Sequence, residues 1–113
     1  MSNIINRDII RNHIDTIILR LLTEEDRYGY EIGKEVLIRS GGTYQLKEPS
    51  LYSAFRRLES SQFVASYWGD DVSKGARRKY YRITPAGTEY YHRTIEEWRM
   101  VKQLMDRLTG EEG

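Results

Sequence analysis

Residues 46–60, LKEPSLYSAFRRLES, and residues 75–87, GARRKYYRITPAG, decide how this chain folds. At 100° per residue the first segment sets Leu51, Ala54, Phe55 and Leu58 on one side of a helix. Pro49, Ser53 and Arg56 fall opposite, Ser50 and Arg57 on one shoulder and Tyr52 on the other. Pro49 suits the first turn, where its missing N–H costs nothing. In the second segment Arg78 to Ile83 alternates as a strand, with Tyr81 and Ile83 on one face and Tyr80 and Arg82 on the other. The roughly alternating run Phe63 to Trp68 is its expected partner, and Gly69 to Gly75 the polar loop between them. Thr84-Pro85 then opens a helix, threonine as cap and proline in the first turn.

Upstream, Ile10, Ile14, Ile17, Ile18, Leu21 and Leu22 recur at three- and four-residue spacing, which predicts an amphipathic helix ending near Thr23. Ile4, Ile5 and Ile9 carry the apolar register towards the amino terminus. Glu24, Glu25 and Asp26 break it and predict a turn. A second helix follows from about Tyr30 to Arg39, with Ile32, Val36 and Leu37 facing inward and Gly41-Gly42 as its stop. Downstream, Tyr91, Ile95, Trp98, Val101, Met105 and Leu108 step by 4, 3, 3, 4 and 3, close to a coiled-coil seam. One small domain cannot cover that whole stripe, so it asks for a partner. The expected order is helix, helix, helix, hairpin, helix: an α+β chain, mainly α.

A chain of 113 residues fits one domain. It has no cysteine, which excludes disulfides, thiolate metal sites and thiol catalysis. No run of about eighteen apolar residues could span a membrane, and the start, MSNIINRDIIRNHID, lacks the apolar core of a secretion signal. The cytoplasm is the expected location. His13 and His92 have no metal-ligand spacing, Glu96-Glu97 reads as a solvated helix face, and Gly41-Gly42 lacks the lysine of a phosphate-cradling loop. No catalytic residue, metal or cofactor is expected.

The net charge of +1 hides an asymmetry. Residues 1–42 carry −1 and residues 84–113 carry −2, whereas residues 43–83 hold 8 Lys/Arg against 4 Asp/Glu, or +4. A second helix, a glycine-bearing turn and a third helix make a helix-turn-helix, and the basic hairpin behind them makes a wing. A helix of this kind fits the DNA major groove when its outward face carries guanidinium and short polar groups. Arg56, Ser50, Ser53 and Tyr52 supply that face, with Lys47, Pro49 and Arg57 beside them. Lys74, Arg77, Arg78 and Lys79 supply charge for phosphates. The alternative is a winged-helix module that docks to a protein without sequence-specific DNA binding. Charge on the third helix and wing discriminates the two, and here both are basic.

Tyr28-Gly29-Tyr30-Glu31-Ile32, Leu51-Tyr52, Arg57-Leu58-Glu59, and Arg78-Lys79-Tyr80-Tyr81 followed by Ile83-Thr84 and Gly87 together resemble the PadR-like transcriptional regulators. The resemblance covers roughly residues 10 to 108 and points to the small subgroup with a single C-terminal helix. It implies a winged helix-turn-helix over residues 1–84 and a dimerisation helix over residues 85–113. It further implies a homodimer that represses genes at palindromic operators. Ile10 and Ile14 of the first helix, with Ile95, Trp98, Val101, Met105 and Leu108 of the last, are the expected dimer interface. Some relatives bind phenolic acids or flat drugs between subunits, so a small aromatic or drug-like effector beside Trp98, Tyr91 and Met105 is an expectation. Trp98 fits a stacking role and a dry seam equally; Tyr91 and Met105 fit the seam better. Two features depart from the family pattern: Pro49-Ser50 before Leu51-Tyr52 with Ser53 after, and Asp70-Asp71, expected at the wing base.

Overall fold

The computed structural model describes residues 10, 13–73 and 76–111. Among these residues four helices, α1 (Ile14–Glu24), α2 (Gly29–Arg39), α3 (Glu48–Ser60) and α4 (Pro85–Thr109), accompany a small antiparallel sheet. Its strands β1 (Arg27–Tyr28), β2 (Val64–Ser73) and β3 (Ala76–Ile83) lie in the order β1-β3-β2. The winged helix-turn-helix expected from the sequence is therefore present, with one strand more than the hairpin. Lys74 and Gly75 fall outside the described residues, as do Ile4, Ile5 and Ile9.

The apolar side of α1 supplies Ile14, Ile18, Leu19, Leu21 and Leu22 to the core, as its spacing dictates. The acidic run after it is more than a turn. α1 continues through Glu24, and Arg27 and Tyr28 pair with Tyr81 and Tyr80 of β3. Arg27 holds this strand in place: it is buried, its Nε donates to the Leu21 carbonyl at 3.1 Å, and its Nη2 reaches Glu24 Oε1 at 3.0 Å. A buried guanidinium needs such partners, because charge without them is costly to desolvate.

Helix α2 starts where the Tyr28 N–H donates to Glu31 Oε1, a side chain reaching back one turn. It stops at Gly41 and Gly42, which adopt φ of 64° and 80°, and the Gly42 N–H closes on the Leu37 carbonyl. Ile32 and Val36 are buried, but Leu37, expected inward, is 39% exposed. It sits 100° round the helix from Val36, just past the edge of the apolar stripe.

The sheet meets the helices through one stack: the Phe55 ring of α3 lies flat on the Tyr81 ring of β3, centroids 3.6 Å apart and planes within 6°. α4 leaves from the same region. Thr84 Oγ1 accepts from the Gly87 N–H at 3.0 Å and donates to the Gln62 carbonyl at 2.8 Å. Gly87 is required there, since a Cβ would run into the Phe63 carbonyl oxygen. The start of α4 is thereby fixed to the turn between α3 and β2.

The expected loop from Gly69 to Gly75 is corrected: β2 continues to Ser73, with a break in register between Trp68 and Val72. Irregularities of this kind increase twist and let a strand absorb glycine and acidic residues without ending. Asp70 thus lies along the outer half of the wing rather than at its base.

Candidate nucleic-acid interface

Helix α3 is divided cleanly. Leu51, Ala54, Phe55 and Leu58 are 3% exposed or less, while Pro49 and Arg56 are exposed and Ser50 and Ser53 half-buried. The apolar side anchors the helix to the core and leaves the polar side free. Arg56 Nη2 donates to Ser53 Oγ at 3.2 Å, one turn back, which steers the guanidinium along the helix surface. Lys47, exposed, occupies the N-cap position.

Two neighbours have other duties. Tyr52 is 43% exposed, yet its hydroxyl rests over Gly29: a Cβ on Gly29 would lie 2.9 Å from Tyr52 Oη. Tyr52 therefore sets the spacing of α2 and α3 and offers only part of its ring outward. Arg57, expected beside the DNA-reading face, is bound to Asp15 of α1, Nη2 to Oδ1 at 2.8 Å and Nε to Oδ2 at 3.4 Å. That hydrogen-bonded pairing raises its already high pKa. Its geometry makes it a tie between α3 and α1.

The wing separates its basic residues by face. Side chains of cross-strand pairs share a face and alternate along each strand. Ser66 pairs with Tyr81 and Trp68 with Lys79, so these four and Arg77 lie on the face that packs against α3. Ser66 Oγ donates to Glu59 Oε2 of α3 on this side, at 3.0 Å. Arg77 and Lys79 are exposed there. Arg78 lies on the other face, its guanidinium 4.7 Å from the centroid of the Tyr28 ring. That face carries a row of tyrosines, Tyr67 against Tyr80 at 5.7 Å and Tyr80 against Tyr28 at 5.5 Å. The Tyr67 hydroxyl donates to Asp26 Oδ2 at 2.6 Å, which pushes its pKa up to about 12. The four wing cations foreseen from sequence are thus not one cluster; Lys74 lies outside the described residues.

Behind this surface a carboxylate joins three elements. Glu24 accepts from Arg39 Nη2 at 2.6 Å and Nη1 at 2.9 Å, from Arg27 at 3.0 Å, and pairs with Arg20 at 3.4 Å. Arg39 above all, with Arg27 and Arg20, holds its pKa down to about 2. Glu35 is the second partner of Arg39, at 2.9 Å.

Largely apolar grooves run along α1 and α4. A groove of about 370 Å³ lies among α1, α2 and α4, lined by Ile10, Ile17, Tyr91 and Ile95 with Arg20 and Arg39. A second of about 350 Å³ shares Ile10, Ile17 and Ile95 and adds His13 and Trp98. Trp98 meets the edge of His13 at 5.0 Å. Of the three expected effector residues, Trp98 and Tyr91 line adjoining grooves and Met105 lines neither. Tyr91 is a core residue, 7% exposed. Ile14, expected between subunits, is packed in the protomer's own core at 7% exposure. Beyond Ile95 the stripe is bare: Trp98, Val101, Leu104, Met105 and Leu108 are all about half exposed or more.

The sequence profile of the transcriptional regulator PadR-like family matches residues 18–93, from α1 through the wing into α4. The chain belongs to the PadR-like family. A transcriptional regulator from Clostridium thermocellum has a similar structure, with a TM-score of 0.83 and 47% identity over 92% of this chain and 97% of that one. A PadR family transcription regulator from Clostridium difficile follows with a TM-score of 0.76 and 39% identity, covering 86% and 98%. An uncharacterised protein of Lysinibacillus sphaericus is 49% identical over 102 residues, 90% of this chain and 93% of its own length. As a PadR-like protein, the chain is a DNA-binding regulator of transcription and not an enzyme. Among the described residues no helix is long and apolar enough to cross a membrane.

Sequence reasoning passed over Asp15, Arg27 and Trp68. Asp15 and Arg57 are separated by 42 positions, so no local pattern links them. Arg27 heads a strand of two residues, too short to show alternation. Trp68 was readable as the last residue of an alternating run, and its 60% exposure is what distinguishes it.

Proposed function

We propose that this PadR-like chain is a homodimeric, sequence-specific repressor acting in the cytoplasm, with residues 1–84 as the DNA-reading unit and residues 85–113 as the dimerisation helix. The observation that carries this reading is α3, whose apolar side is spent on the core while Arg56 is exposed and Ser50 and Ser53 are half-buried on the polar side. Arg56 with Ser50 and Ser53 would read the major groove, Lys47 and Pro49 would lie at the entering end, and Arg77 and Lys79 would hold phosphates. The bare stripe of α4 supports pairing of two copies, because five large apolar side chains exposed along one helix face are costly in a monomer. Two α3 helices in such a pair would serve half-sites of a palindrome about one helical turn apart.

The grooves beside Trp98 support relief of repression by a small aromatic or drug-like molecule. A guest there touches α1 and α4 together, so it can alter the separation of the two reading helices. A gel shift against the promoter of the chain's own gene tests the main reading, with Arg56→Ala as comparison. Equal competition by random DNA removes sequence specificity, and no shift at low salt removes the DNA-reading role of α3. Trp98 emission titrated with phenolic and planar compounds tests the effector; no response across the panel assigns Trp98 to a dry seam.

A further inference from the structure

Trp68 is a large aromatic side chain left 60% exposed. It belongs to the face of the wing that looks towards α3, since its cross-strand partner is Lys79 and the preceding pair on that face is Ser66 with Tyr81. Tyr81 is 4% exposed beneath Phe55, so the cover given by α3 ends between one pair and the next. Outward from that boundary the face carries an indole flanked by the cations Lys79 and Arg77. Solubility and strand pairing would be served equally by a threonine. An indole between cations instead matches a surface that alternates apolar and anionic groups at short range. A DNA backbone has that character: deoxyribose rings present C–H surface between phosphates. The indole can lie flat on the sugar, and its one N–H can donate to a phosphate oxygen.

We infer that Trp68 is a DNA-contact residue of the wing, its indole packed on deoxyribose beside phosphates held by Lys79 and Arg77. The inference rests on the proposed reading of DNA by α3 and the wing. It adds a contact that is apolar and therefore insensitive to salt, unlike the lysine and arginine contacts around it.

The test uses the full-length protein and a duplex that it selects from a random-sequence library. Trp68→Ala should weaken binding by about tenfold to a hundredfold per copy, the scale of burying much of one indole, while Trp68→Phe keeps most of the affinity. The slope of log affinity against log salt should be the same for Trp68→Ala as for wild type, and flatter by about two for Lys79→Ala in a dimer. The change in tryptophan emission on adding duplex should be lost in Trp68→Phe, which leaves Trp98 as the remaining tryptophan. Wild-type affinity in Trp68→Ala, or an emission change that persists in Trp68→Phe, overturns the inference and leaves the DNA reading standing. A salt slope that flattens in Trp68→Ala also overturns it, because the residue would then act by holding the wing in shape. Failure of wild type to retain any duplex removes the DNA reading itself.

Discussion

The two arginines at the end of α3 should behave as opposites, and the difference can be read from a salt titration. Arg56 is exposed and donates to Ser53, whereas Arg57 is bound in two places to Asp15. Each protomer then offers Lys47, Arg56, Arg77 and Lys79 as exposed cations on α3 and the α3-facing side of the wing. If all four meet phosphate in a dimer, the slope of log affinity against log salt is about −7, a loss of about four decades between 50 and 200 mM. Arg56→Ala removes one such contact per protomer and should flatten the slope to about −5. If Arg56 instead forks to a guanine edge, the slope holds, affinity falls by about 1–3 kcal/mol per copy, and sequence preference relaxes. Arg57→Ala should leave the slope near −7. Its loss falls on the tie between α3 and α1, a partly exposed pair worth at most about 1 kcal/mol, and so on the melting temperature. Fluorescence anisotropy with a selected duplex at several salt concentrations measures the slopes, and thermal melts measure the tie. An Arg57→Ala slope as flat as that of Arg56→Ala would refute the division of labour between them.

Three further outcomes follow from particular contacts. Gly87→Ala should destabilise the fold by about 2–4 kcal/mol, because its Cβ meets backbone. Gly33→Ala, in open space inside α2, should stabilise it by up to ~1 kcal/mol; denaturant unfolding compares the pair, and equal effects would discard the argument. Glu24 has its carboxylate pKa lowered from 4.5 to about 2 in the fold, so its contribution is complete above pH 4.5 and fades as pH falls towards 2. Glu24→Gln should accordingly melt lower at neutral pH and show a shallower loss of melting temperature across that window, and parallel curves for the two proteins would contradict it. Val101→Glu with Leu108→Glu should turn a dimer into a monomer by light scattering, since both side chains are at least half exposed on the bare stripe of α4; an unchanged mass would move the interface elsewhere.

Much of the fold was legible because its signals are local. The period of α1, the glycine stop after α2, the Thr84-Pro85 start of α4 and the inward side of α3 each depend on residues within one or two turns. Leu37 misled because a stripe has an edge that spacing alone does not place. Gly69 and the aspartates after it misled because the pairs on either side of them, Trp68 with Lys79 and Val72 with Arg77, carry the strand across an irregularity in register.

By itself, then, the sequence determined the order of helices and hairpin, the collection of positive charge in residues 43–83, and the family to which the chain belongs. Tertiary structure decided which cations face the same way. Arg57 turns to Asp15 from 42 positions away, Arg78 settles on Tyr28 across the sheet, and Lys79 with Arg77 remains beside Trp68 on the face of α3. Charge and periodicity are written along the chain, but the partner of a long side chain is set by what distant segments bring within about 3–5 Å of it, and that depends on packing.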